Sequence, residues 1–147
     1  MMNYNAAKNG VNLSFLVENL NLSVVNRGAD FDEVMIKVKD VNRPGLQLVG
    51  FFDYFDMTRV QVIGMMETKM LESKTSAERE EAFSTLFEYN IPALVVSRDL
   101  DIYPECLAMA RKYQRTLLHT SDTTVDFTIK YIEFMNHHMA PMTTRHG

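Results

Sequence analysis

The stretch Ile91-Pro-Ala-Leu-Val-Val-Ser97 restricts the fold more than any other segment. It is apolar at nearly every position and short, which fits a strand covered on both faces. Such a strand needs helices on either side of its sheet, and the neighbouring sequence supplies them. Before it, Thr75 and Glu78 form a capping-box pair, and the helix that follows sets Phe83, Leu86 and Phe87 on one stripe and Arg79, Glu80 and Glu81 on the wet side. After it, Pro104 suits the first turn of a helix lined by Leu107, Ala110 and Tyr113. Thr116–Thr120 reads as another short strand, and a last helix is expected from about Thr123 to His138. In that helix two adjacent stripes, Val125, Ile129 and Ile132 beside Phe127, Tyr131 and Phe134, predict broad burial. Strand, helix, strand, helix in alternation favours a mostly parallel sheet with helices on its faces. The expected class is α/β, a three-layer α/β/α arrangement.

The first half is less regular. A helix is expected over Ser14–Leu20, capped by Asn12 or Ser14, and a strand over Leu22–Asn26 with the Arg27–Asp30 turn behind it. In Glu33–Val41, Val34, Ile36 and Val38 alternate with Met35, Lys37 and Lys39, which predicts one half-exposed strand. Arg59–Gly64 predicts another, closed by its glycine. Residues 1–10 read as a flexible leader, 11–139 as a single domain and 140–147 as a linker.

With 147 residues the chain suits one domain with its own core. A net charge of −4 argues against a non-specific nucleic-acid binder and against an anionic membrane surface. No apolar run approaches the length of a membrane span, the N-terminus lacks a signal-peptide centre, and the single cysteine, Cys106, forms no internal disulfide. These features together predict a cytoplasmic protein.

Chemistry-bearing motifs are few. Gly45 and Gly50 have the spacing of a phosphate-binding P-loop, but Phe51 and Phe52 follow where lysine and a hydroxyl residue are needed. His137 and His138 are helix neighbours pointing about 100° apart, so they do not form an i, i+4 metal pair. No histidine, cysteine or carboxylate cluster has metal-site spacing, and Cys106 is expected to be a buried small hydrophobe. Two strand ends carry a possible site. Ser97-Arg98-Asp99 and His119-Thr120-Ser121 lie where open α/β sheets bind ligands, with a helix N-terminus expected near Thr123. Arg98, His119 and Thr123 are therefore candidate ligands of a small anion. The plainer reading is that Arg98 and Asp99 pair in a solvated turn.

The segment Asp40–Phe55, DVNRPGLQLVGFFDYF, holds a polar knot of Asn42, Arg43, Pro44 and Gly45. It fits a type II turn, or a short helix capped by Asn42 and carrying Leu46, Leu48 and Val49. Phe51, Phe52, Tyr54 and Phe55 read as core or subunit contacts. Arg43 has no evident structural task in the sequence and joins the ligand candidates.

Taken in order, DVNRPGLQLVGFFDYF, RVQVIG, IPALVVSR and the closing APMTTRHG resemble the N-terminal domain of HPr kinase/phosphorylase, over roughly Val11–Gly147. Asn42, Arg43, Pro44 and Gly45 carry the most specific part of the signature. Val49 stands where the family shows a small residue, and Met66–Leu71 replaces a TELSYL-like stretch. The resemblance implies a fold like that of certain Mur ligases (MurE and MurF). It implies a bacterial enzyme that phosphorylates a serine of HPr with ATP or pyrophosphate, and removes the group with phosphate, in carbon catabolite regulation of the phosphotransferase system. It implies a following catalytic half that carries the P-loop and takes ATP and Mg²⁺, with His146 near its active site, and assembly as a homo-oligomer. For this chain alone it implies no catalytic residue, no metal and no cofactor, and a non-catalytic role in assembly or regulation. The alternative is a stand-alone module sensing a small phosphorylated metabolite or nucleotide.

Overall fold

The computed structural model describes residues 10–139. A five-stranded sheet forms the middle layer, built from β2 (Ser23–Asn26), β4 (Val41–Asn42), β5 (Val60–Ile63), β6 (Leu94–Val96) and β7 (Leu117–His119) in the order β2-β7-β6-β5-β4. Strands β4 to β7 run parallel and β2 closes one edge antiparallel to β7. A separate antiparallel pair joins β1 (Val11–Asn12) to β3 (Met35–Ile36).

The helices divide between the two faces because successive strand residues point opposite ways. Val60, Val62, Ala93, Val95 and Leu118 face one way and pack against α1 (Leu13–Asn19) and α6 (Thr124–His138). Ile63, Leu94, Val96 and Leu117 face the other and pack against α2 (Gly45–Leu48), α3 (Met65–Glu72), α4 (Ser76–Glu88) and α5 (Pro104–Tyr113). The three-layer α/β/α reading of the sequence therefore holds.

Local signals explain the helix starts. Thr75 Oγ1 accepts from the Glu78 N–H at 3.1 Å while Glu78 Oε1 accepts from the Thr75 N–H at 2.9 Å, closing the expected capping box. Asn12 caps α1 through the Phe15 N–H, and Pro104 opens α5. Cys106 is buried in the α5 face, and that burial pushes its thiol pKa far above the ordinary value, so it packs as a small hydrophobe.

Four expectations change. The run Glu33–Val41 is not one strand: β3 pairs with β1, the chain bends, and β4 enters the main sheet beside β5. Alternation survives the bend because it records which side chains face the core, and it says nothing of the strand they pair with. The helix α3 was not expected at all. The knot takes the helical alternative, with Pro44 rather than Asn42 at the N-cap of α2. Finally α6 is less broadly buried: Phe127, Tyr131 and Met135 are fully covered and Ile132 and Phe134 pack partly against the core, whereas Val125 is 66 % and Ile129 50 % exposed. A helix lying on a flat sheet meets it along one line, so part of the second apolar stripe stays outside.

Candidate functional site

The carboxyl ends of the four parallel strands converge on one crevice. Arg43 follows β4, Gly64 and the start of α3 follow β5, Ser97 and Arg98 follow β6, and Thr123 with the start of α6 follows β7. The crevice has a volume of about 490 Å³ and is walled by Arg43, Met65, Met66, Lys69, Arg98 and Thr123–Val125. Helix α3 lies on one face of the sheet and α6 on the other, so their N-termini straddle its edge. Open α/β sheets accept ligands beyond the carboxyl ends of their strands; here the order β4-β5-β6-β7 runs without a reversal, and the crevice opens because α6 leaves β7 for the face opposite α3.

Its floor is tightly built. Ser97 is fully buried and its Oγ lies 2.7 Å from Thr124 Oγ1 and 3.1 Å from the Ile63 carbonyl, to which it donates. Gly64 fits between them because it lacks a Cβ: one added there would stand 3.1 Å from Ser97 Oγ and 3.2 Å from the Arg43 guanidinium, and would collide with Thr124 Oγ1. Beside it, Glu67 Oε1 accepts from the Gly64 N–H at 2.8 Å and from Arg43 Nη2 at 2.7 Å. Arg43 therefore does have a structural task, in contrast to the sequence reading. It ties the knot to the first turn of α3, while its own side chain remains 40 % exposed toward the crevice.

The rest of the knot is held from behind. Asn42 Nδ2 donates to Gln61 Oε1 at 2.7 Å and to Gln47 Oε1 at 3.1 Å, and Gln61 Nε2 donates in turn to the Arg59 carbonyl. Gln61 is fully buried and Gln47 nearly so, so these bonds replace the water that both amides lose. The signature residues thus form a corner whose one outward-reaching group is Arg43. The aromatics after it serve elsewhere: Phe52 stacks on Tyr89 at 4.7 Å and Phe55 packs edge-on against both, while Tyr54 stands fully in solvent.

Of the four candidate ligand residues, Arg43, Arg98 and Thr123 line the crevice and His119 does not. The His119 ring is half-buried, with Nε2 2.9 Å from the Leu100 carbonyl. Arg98 and Asp99 are not an ion pair. Both take left-handed backbone conformations, and their N–H groups bond to the Asp122 and Thr120 carbonyls, which fixes the β6 end against the β7 loop. The Arg98 guanidinium has no hydrogen-bond or ion-pair partner among the described residues. Lys69, Met65 and Met66 escaped the sequence reading along with α3. The signal was present, since Glu67 at the third position after a strand-closing glycine has capping-box spacing. His146 and the closing signature lie outside the described residues, as do the leader through residue 9 and the linker at 140–147. No group of three metal-ligating side chains occurs among the described residues, and no helix there is long and apolar enough to cross a membrane.

Comparison with known proteins gives these features a context. Residues 11–135 match the family model described as HPr Serine kinase N terminus. An HPr kinase/phosphorylase of Caldicellulosiruptor bescii is 38 % identical over 132 residues, covering 90 % of this chain and 42 % of the relative. One from Clostridium tetani is 38 % identical over 138 residues, 94 % of this chain and 45 % of its own length. The chain thus spans less than half the length of these curated relatives. Among solved structures, the CBS and DRTGG domains of the regulatory region of Clostridium perfringens pyrophosphatase, complexed with the activator diadenosine tetraphosphate, superpose with a TM-score of 0.61. They share 14 % identity, over 97 % of this chain and 56 % of that one, a likeness of fold alone.

Proposed function

The chain belongs to the HPr serine kinase N-terminal family, and from that membership we propose that it is the non-catalytic accessory domain of a bacterial HPr kinase/phosphorylase, serving assembly or regulation. The observation that carries this reading is the match of residues 11–135 to the family model of the HPr serine kinase N terminus, with curated relatives more than twice the length of this chain. The chemistry agrees. A P-loop needs a lysine and a hydroxyl residue after its second glycine, and Phe51 and Phe52 follow Gly50 here. In this reading ATP, Mg²⁺ and HPr are handled by a catalytic half of the same protein, the whole is a cytoplasmic homo-oligomer, and its output is carbon catabolite regulation. The purified chain incubated with HPr, ATP and Mg²⁺ is expected to yield no phosphoserine. HPr phosphorylation above a protein-free control that co-elutes with the chain through gel filtration overturns the non-catalytic reading.

The crevice supports a second reading, a module that senses a small phosphorylated metabolite or nucleotide. What supports it is that Arg43, Arg98 and Thr123 line one crevice at the carboxyl ends of the parallel strands. The pyrophosphatase regulatory region of similar fold is complexed with a nucleotide activator, and at 14 % identity the likeness is one of fold.

A further inference from the structure

We propose that the crevice at the parallel strand ends binds a phosphate monoester carrying a flat apolar body, with Arg98 as the principal cation on the phosphate. The proposal rests on the sensing reading and specifies its ligand chemistry and site.

Charge distribution singles the crevice out. The protein is acidic overall, with a net charge of −4, yet Arg43, Lys69 and Arg98 meet here and no carboxylate lines the walls. Other hollows are mixed or acidic: Lys74 shares one with Glu78 and Glu81, Lys37 shares another with Asp30, and Glu72 and Asp101 line a third. Arg98 has its whole guanidinium fork unsatisfied among the described residues, and Arg43 spends only Nη2 on Glu67. A planar guanidinium fork can donate two parallel N–H bonds to two oxygens of a tetrahedral phosphate. Lys69 keeps only a loose, solvent-exposed contact to Glu72 at 3.5 Å.

The backbone adds to the side chains. At the start of α6, Thr123 satisfies the Asp126 and Phe127 N–H groups, and those of Thr124 and Val125 have no partner among the described residues. Met65 and Met66 hold the same two positions at the start of α3. Four free N–H groups at two helix starts thus border a cavity already lined by cations. The remaining wall is apolar and open: Met65 is 43 %, Met66 69 % and Val125 66 % exposed. Methionine and valine offer a flat organic group contact that a bare inorganic anion does not use. The volume, about 490 Å³, lies in the range of small-molecule sites.

The test measures binding of AMP, inorganic phosphate and adenosine to the chain by calorimetry, with melting temperature as a second readout. AMP is expected to bind and to raise the melting temperature, phosphate to bind more weakly, and adenosine to give no signal at millimolar concentration. Arg98→Ala is expected to weaken AMP binding about tenfold or more, with the ligand-free melting temperature unchanged because the Arg98 side chain has no partner to lose among the described residues. Arg98→Lys restores part of the affinity. The site is overturned if AMP gives no signal, or if Arg98→Ala binds AMP as tightly as the parent. In the latter case a phosphorylated ligand binds elsewhere, and the sensing reading survives without this site. Conversely, AMP binding lost in Arg98→Ala, with no effect of AMP on the HPr phosphorylation rate of a longer protein containing this domain, keeps the site and removes sensing.

Discussion

Replacing Gly64 with alanine tests the construction of the crevice floor. The glycine's φ of −135° is ordinary extended backbone, so alanine meets no conformational strain there and any cost comes from contact. Its new Cβ would collide with Thr124 Oγ1 and stand 3.1 Å from Ser97 Oγ, inside the 3.4 Å where ordinary contact begins. Thr124 is short, β-branched and 8 % exposed, so it has little room to swing away. Swinging also breaks its 2.7 Å bond to the buried Ser97 hydroxyl. Overpacking of this kind costs about 1–3 kcal/mol, a fall in urea midpoint of roughly 0.5–1.5 M for a slope near 2 kcal/mol per molar. Thr124→Ala alone is expected to cost about 1 kcal/mol, one hydrogen bond. Because it vacates the space the new methyl needs, the double variant should be less damaged than the two changes summed, by about 1 kcal/mol or more. Equilibrium urea unfolding of the four proteins, followed by circular dichroism, gives the cycle. A Gly64→Ala midpoint equal to the parent's, or strictly additive effects, refutes the contact argument.

Arg43→Ala strips a partner from Glu67, whose side chain is only 6 % exposed. Because Arg43 itself is 40 % exposed, the expected loss is about 1–2 kcal/mol, below that for a fully buried pair, and adding Glu67→Gln should recover part of it in urea unfolding. Tyr131→Phe removes a 2.6 Å hydrogen bond from a buried hydroxyl to the Val38 carbonyl and should cost about 1–2 kcal/mol by the same assay. The Ser76 hydroxyl, with Arg79 beside it, holds the Glu105 carboxyl below its ordinary pKa. A lowered folded value makes that contribution full above the unfolded glutamate's range and lost as pH falls through the folded value, on the acid side of that range. Glu105→Gln should therefore lower stability at neutral pH and flatten its decline on the acid side, read from melting temperature against pH.

The second half of the fold was legible because its signals are local. The apolar run at Leu94–Val96, the Thr75–Glu78 box and Pro104 each fix an element through neighbours within a few residues. The first half resisted because β3 and β4 are two residues each, and short strands are defined by partners far away in sequence. The exposed part of the second α6 stripe was misread for a similar reason: two apolar stripes look alike in sequence, and only the position of the sheet chooses between them. At the site, Arg98 and Thr123 could be placed at strand ends by pattern. His119 sits at a strand end as well, but its ring turns to the Leu100 carbonyl, a choice that depends on a loop nineteen positions away.

The sequence by itself determined the layered α/β class, the starts of α4 and α5 and the family, since period, capping chemistry and motif order are properties of the chain read locally. Only the tertiary structure decided that Arg43, Lys69 and Arg98 share one crevice. They are separated by tens of residues and lie on three different crossover connections. Parallel strands bring those connections out at the same edge of the sheet, where like charges in an acidic protein meet for a reason that no local pattern encodes.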